Sequence, residues 1–197
     1  VMQSLDALLR RAQRWDDLRG LFDHRVARVS DAAERRALIT EVAELEEAVL
    51  QQPDAASERF RVLIATDPTD ETALAALSRL AESAGRWAEL ESTLIARHDL
   101  AQGAARAELA LALGSVQRKH LGKVESAIEA YREVLALSAH HQGALDALES
   151  LLGDERWRVV AARTLEPEFE ETGEFRKLAW VLQILFDVEE SAQRRRE

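Results

Sequence analysis

Arg86-Trp87-Ala88-Glu89-Leu90 decides the fold, because the phrase occurs three times. Its copies are Arg14-Trp15-Asp16-Asp17-Leu18 and Arg156-Trp157-Arg158-Val159-Val160. The tryptophans are spaced 87 − 15 = 72 and 157 − 87 = 70 residues apart. So regular a recurrence marks a repeat protein, in which each unit buries its apolar face against the next.

A second phrase fills the intervals. Ala56-x3-Phe60-x2-Leu63-x4-Pro68 returns as Ala127-x3-Tyr131-x2-Val134-x4-Ala139, an offset of 127 − 56 = 71. Ala73-Leu74-Ala75-Ala76-Leu77 returns as Ala144-Leu145-Asp146-Ala147-Leu148 at the same offset. Upstream, Leu38, Val42 and Leu50 pair with Leu109, Leu113 and Leu121. One unit of 71 residues therefore occurs nearly twice, with partial copies on both sides.

Each unit divides into two helical hairpins. An alanine and an aromatic four residues later share a helix face; the alanine admits a close neighbour and the aromatic fills the space one turn on. Gly85 ends one helix and Trp87 opens the next, with Trp87, Leu90 and Leu94 as an i, i+3, i+7 stripe. Leu74, Leu77, Leu80 and Ala81 face it. Hairpins are expected over 2–29, 31–66, 70–101, 104–138 and 142–171, with an unpaired helix over 174–195. Eleven helices and no sheet follow. Ser30, Asp31, Asp54, Asp70 and Asp154 stand where N-caps are needed. The three repeated tryptophans are expected in the hairpin cores.

Leu113-Gly114, Gly122, Ala127 and Tyr131 in one unit, and Leu74, Leu77, Gly85, Trp87, Leu90 and Leu94 in another, resemble the tetratricopeptide repeat in degenerate form. The resemblance covers nearly the whole chain and rests on recurrence in register. It implies an all-α, right-handed α-solenoid of antiparallel helical hairpins, with residues 1–197 forming a single continuous array that is a fragment of a longer one. It also implies a non-enzymatic scaffold that binds a protein or peptide on its concave face. By the family pattern, the first helix of each hairpin lines that face. The groove residues would be Thr40, Glu44 and Glu47, then Arg79 and Glu82, then Ser115, Arg118 and Lys119, then Asp146 and Ser150. Two other roles fit the same chain: a structural spacer or self-associating segment of a larger assembly, and a regulatory domain attached to an enzyme.

Composition narrows the field. The chain has 197 residues, of which 47% are hydrophobic and 31% charged, with 3 Pro, 8 Gly and no Cys. Helix formers dominate such a mix. Without cysteine there is no disulfide or thiolate chemistry. A net charge of −10 opposes nucleic acid, which wants a basic footprint. No apolar run approaches a membrane span, and no signal peptide opens the chain, so a cytoplasmic location is expected.

Catalytic and metal-binding patterns are not found, and no cofactor is expected. His140 and His141 are adjacent in an interhelix turn, without a carboxylate at ligand spacing. Acidic pairs such as Glu46-Glu47 read as solvated helix faces. The last helix stands apart. Leu178, Trp180, Val181, Leu182, Ile184, Leu185 and Phe186 spread apolar surface over most of its circumference. A homodimer through this uncapped helix is expected to use Trp180, Ile184 and Phe186.

Overall fold

A computed structural model describes residues 2–194, and the side chains of 5–188 and 190 within that span. Among the described residues eleven helices follow in order: α1 (Met2–Arg11), α2 (Trp15–Val26), α3 (Ala32–Ala48), α4 (Pro53–Thr66), α5 (Glu71–Ser83), α6 (Trp87–Leu100), α7 (Gly103–Lys119), α8 (Val124–Leu137), α9 (Gln142–Glu149), α10 (Arg158–Thr172) and α11 (Phe175–Arg194). No strand occurs among the described residues. The fold is all-α and built of helical hairpins. Sequence-adjacent helices pack on each other, as in α3 on α4, α7 on α8 and α10 on α11.

The chain groups into two compact units, Val1–Arg97 and His98–Glu197. In the first, Leu9, Leu18, Phe22, Leu38, Val42 and Leu45 form one apolar cluster. Ile39, Ala43, Ala56, Phe60, Leu63, Ala73, Leu77 and Leu80 form another. The second unit has one larger cluster, in which Ala127, Tyr131, Val134, Leu145, Leu148, Leu165, Phe169 and Val181 are all nearly inaccessible. Ala56 with Phe60 and Ala127 with Tyr131 lie at the centres of their cores, as the i, i+4 face requires.

The helix breaks are chemically distinct. Gly85 takes φ +66°, and Arg86 N–H reaches back to Ala81 O at 2.8 Å, closing a Schellman turn. Gln13 lies 72 residues earlier and does the same with φ 54°, Arg14 N–H bonding Leu9 O at 3.0 Å. Asp31 and Asp70 cap α3 and α5 by accepting from Glu34 N–H at 2.7 Å and Ala73 N–H at 3.1 Å. The other expected caps fail. Ser30 is displaced by Asp31 as the cap of α3. Asp54 lies inside α4, whose first turn is set by Pro53, and Asp154 accepts instead from Arg156 N–H in the turn before α10.

The tryptophans correct the expectation most. Trp15, Trp87 and Trp157 are half-buried rather than central. Each stands at a helix start: Trp15 and Trp157 pack against their apolar clusters while remaining partly exposed, and the Trp87 indole covers the preceding turn, 3.9 Å from where a Cβ on Gly85 would be. The core positions are one and two turns further on. Leu18 and Phe22 are fully buried after Trp15, and Leu90 and Leu94 nearly so after Trp87. After Trp157 the burial slips by one residue, to Ala161 and Leu165. There α9 has only 8 residues, and a run of turns over 150–157 replaces the Gly85-type break.

Polar groups bind neighbouring helices at the rims. Arg59 of α4 reaches Glu46 of α3 at 3.0 Å and Asp23 of α2 at 2.7 Å, compensating a Glu46 side chain that is only 2% exposed. Arg36 of α3 grips Asp70 with both arms of its guanidinium. Such forked pairs fix the register of one hairpin on the next.

Candidate functional site

The described part of the second unit contains a cleft of about 310 Å³ between α7 and α9, floored by α8. Leu111, Ser115, Arg118 and Lys119 enter it from α7 at i, i+4, i+7 and i+8, a single helix face. Gly143, Asp146 and Ala147 enter from α9 at i, i+3 and i+4. Tyr131 supplies the floor from α8.

Two glycines shape this arrangement. A Cβ on Gly114 would stand 2.7 Å from Cε1 of Tyr131, closer than any real contact, so glycine there lets the ring lie against the α7 backbone. A Cβ on Gly143 would stand 3.1 Å from Cδ2 of Leu111, so glycine also sets how near the first turn of α9 comes to α7. The floor is buried and the rim polar. Tyr131 is 1% exposed, and burial pushes its phenol above the usual value while the nearby Arg118 charge pulls the other way.

Arg118 is the dominant charge. Its Nη1 donates to Ala147 O at 3.2 Å and to the hydroxyl of Ser150, both neutral acceptors. Its Nε is shielded from solvent and has no hydrogen-bond partner among the described residues. Lys119 is exposed on the rim. Asp146 is exposed too and accepts from Gln142 Nε2 at 2.6 Å. Beside Gly143, the His141 ring lies 3.4 Å from where a Gly143 Cβ would be. Its Nδ1 is likewise buried and without a hydrogen-bond partner among the described residues, while Nε2 stands 3.6 Å from Glu108.

Of the ten groove residues read from the sequence, the structure gathers Ser115, Arg118, Lys119 and Asp146 around this cleft, with Ser150 bonded to Arg118. The other five lie on α3 and α5 of the first unit. Glu47 and Arg79 are spent on each other in a forked ion pair, with one arm at 2.7 Å. That bond holds the Glu47 carboxylate below its ordinary range. Thr40 turns its hydroxyl back to Arg36 O at 3.1 Å, and Glu44 and Glu82 are exposed. Sequence reasoning did not place Leu111, Tyr131, Gly143 or Ala147 in the site. Tyr131 read as hairpin packing, and only the Gly143 contact with Leu111 shows that the wall is tight there.

The α11 trio divides. Trp180 is 49% and Phe186 60% exposed, but Ile184 packs against the core cluster. At about 100° per residue, Trp180 and Phe186 also point some 120° apart. The exposed stripe is instead Phe175, Leu182 and Phe186, at i, i+7 and i+11.

Both histidines of the adjacent pair are engaged with acids, His140 Nδ1 lying 3.0 Å from Glu168. No group of three or more His, Asp or Glu is placed to hold a metal among the described residues. No helix among them is long and apolar enough to cross a membrane.

No family model matches the chain, and no curated protein matches it. Solved structures do. The structure titled "Crystal structure of MamA" aligns over 96% of this chain and 95% of its own, at 13% identity and a TM-score of 0.47. "MamA MSR-1 C2" aligns over 97% and 96%, at 12% identity and 0.44. BtubC (BKLC) from P. vanneervenii aligns over 98% and 80%, at 15% identity and 0.44.

Proposed function

We propose that this chain is a non-enzymatic interaction module and that the cleft between α7 and α9 binds a peptide segment of a partner protein. The observation that carries the reading is the make-up of the cleft. It has an apolar, tightly packed floor with a few polar groups converging on it, the usual composition of a recognition site. Its volume of about 310 Å³ suits a few side chains rather than a large cofactor. The charged groups on its rim, Arg118, Lys119 and Asp146, are suited to orienting a ligand.

The test is selection from a phage-displayed random peptide library on the 197-residue chain, with synthetic copies of the enriched peptides measured by fluorescence anisotropy. Peptides should enrich and should lose binding to Ser115→Trp, which fills the cleft. Enriched peptides that bind this variant equally well would refute the reading.

The exposed stripe of Phe175, Leu182 and Phe186 favours a second reading, self-association through α11. Three large apolar side chains on one flank are an unusual burden for a surface that meets only water.

A further inference from the structure

Among the differences between the two 71-residue copies, one pair of positions changes how a cation is partnered. Glu47 on α3 and Arg79 on α5 correspond to Arg118 on α7 and Ser150 at the end of α9, since 118 − 47 = 71 and 150 − 79 = 71. In each case the two positions meet across neighbouring hairpins. In the first unit the meeting is a closed ion pair of opposite charges. In the second, the cation has moved to the other helix and its partner is a neutral hydroxyl.

The carboxylate that completes this pair in the first unit is therefore missing from the second. No carboxylate lies within ion-pair reach of Arg118 among the described residues, and Nη1 alone accounts for its hydrogen bonds. A guanidinium has five N–H donors arranged as a fork that fits one carboxylate in two parallel bonds. Glu44, which adds negative charge beside Glu47, is replaced by Ser115 at the same offset, and Lys119 adds a second cation where the first unit has Ala48. Asp146 on the same rim offsets one of these two cations, so on a chain of net charge −10 the mouth of the cleft still carries a net positive charge where the first unit has a net negative one.

We propose that the cleft is selective for an acidic segment, and that an Asp or Glu side chain of the partner docks on Arg118 and completes the ion pair that Glu47 and Arg79 make internally. The proposal rests on the peptide-binding reading above. It adds the chemistry of the anchor. Ser150 is the position that keeps the site open: a carboxylate there would satisfy Arg118 from within, as the mirror image of the first unit.

The experiment uses peptides from the phage selection above. Enriched sequences should share an Asp or Glu, and changing it to Asn or Gln should weaken binding about ten-fold, the loss of one charge-assisted hydrogen-bonded pair. Ser150→Glu should weaken binding by a similar factor, and Arg118→Gln at least as much. Ser150 is exposed at a helix end, so its variant tests the site without disturbing the core; circular dichroism checks that both variants stay folded. Blocking the peptide C-terminus as an amide should leave affinity unchanged. Peptides that depend on Ser115 yet carry no acid, or bind Ser150→Glu undiminished, would overturn the inference and leave the cleft reading standing. So would binding that requires only the terminal carboxylate. Failure of any peptide to depend on the cleft would remove both.

Discussion

Gly114→Ala is the perturbation that most sharply tests the packing beneath the cleft. In an ordinary helix interior this change stabilises by about 1 kcal/mol, because alanine has the higher helix propensity. Here the new Cβ would stand 2.7 Å from Cε1 and 3.1 Å from Cδ1 and Cζ of Tyr131. The ring must retreat by most of an ångström, yet it is 1% exposed and enclosed by Ala110, Ala127 and Val134. Overpacking of that kind costs about 1–3 kcal/mol, so the net effect should be a loss of about 1 kcal/mol. The first unit shows the alternative solution: its equivalent positions hold Ala43 and Phe60, both buried. Urea unfolding followed by circular dichroism is the assay. Near a slope of 2 kcal/mol/M the midpoint should fall by about 0.5 M. In a Tyr131→Leu background the ring is gone and the sign should reverse, alanine becoming the more stable residue. A Gly114→Ala chain more stable than the parent would show that the ring is free to move and would refute the account of the floor.

Three further outcomes follow from other parts of the molecule. Gln13→Gly should stabilise the first unit by roughly 0.5–1 kcal/mol and Gly85→Ala should destabilise it by about 1 kcal/mol, since both positions need φ near +60°; thermal melts report both. The hydrogen bonds from Arg36 hold Asp70 below its ordinary value of 3.8. A depressed native value stabilises above the unfolded value and is lost as pH falls through the native one. Stability measured by urea should therefore fall on acidification below that ordinary value. Asp70→Asn should flatten the decline without abolishing it, because Glu47 is held low as well. Leu182→Glu with Phe186→Glu should abolish any concentration-dependent sedimentation of the chain, and persistence of an associated species would exclude the α11 stripe as its cause.

The sequence disclosed the helices because their signals are local. Alanine and aromatic at i, i+4, aspartate before an apolar stripe and glycine after one each encode a helix end or face within a few residues. Asp31, Asp70 and Gly85 were legible for that reason. The tryptophans misled because recurrence says a position matters to packing but not how deeply it is buried. A helix-start ring can cover a turn as usefully as fill a core. Gln13 hid its left-handed turn because glutamine carries no such signal; only alignment with Gly85 reveals it. Half of the candidate site was legible for a similar reason. The repeat register placed Ser115, Arg118, Lys119, Asp146 and Ser150 on first helices, but not the ion pair between Glu47 and Arg79. Pairing across hairpins depends on the distance between two helices, and that distance is set by contacts such as Gly143 against Leu111.

Nuclear magnetic resonance mapping of a selected acidic peptide on the isotopically labelled chain tests the central claim most directly. Amide shifts should concentrate on α7, the first turns of α9 and Tyr131, and the side-chain signal of Arg118 Nε should move with them while that of Arg79 stays fixed. Shifts centred on α11 or on the face bearing Glu47 and Arg79, with Arg118 unmoved, would contradict it.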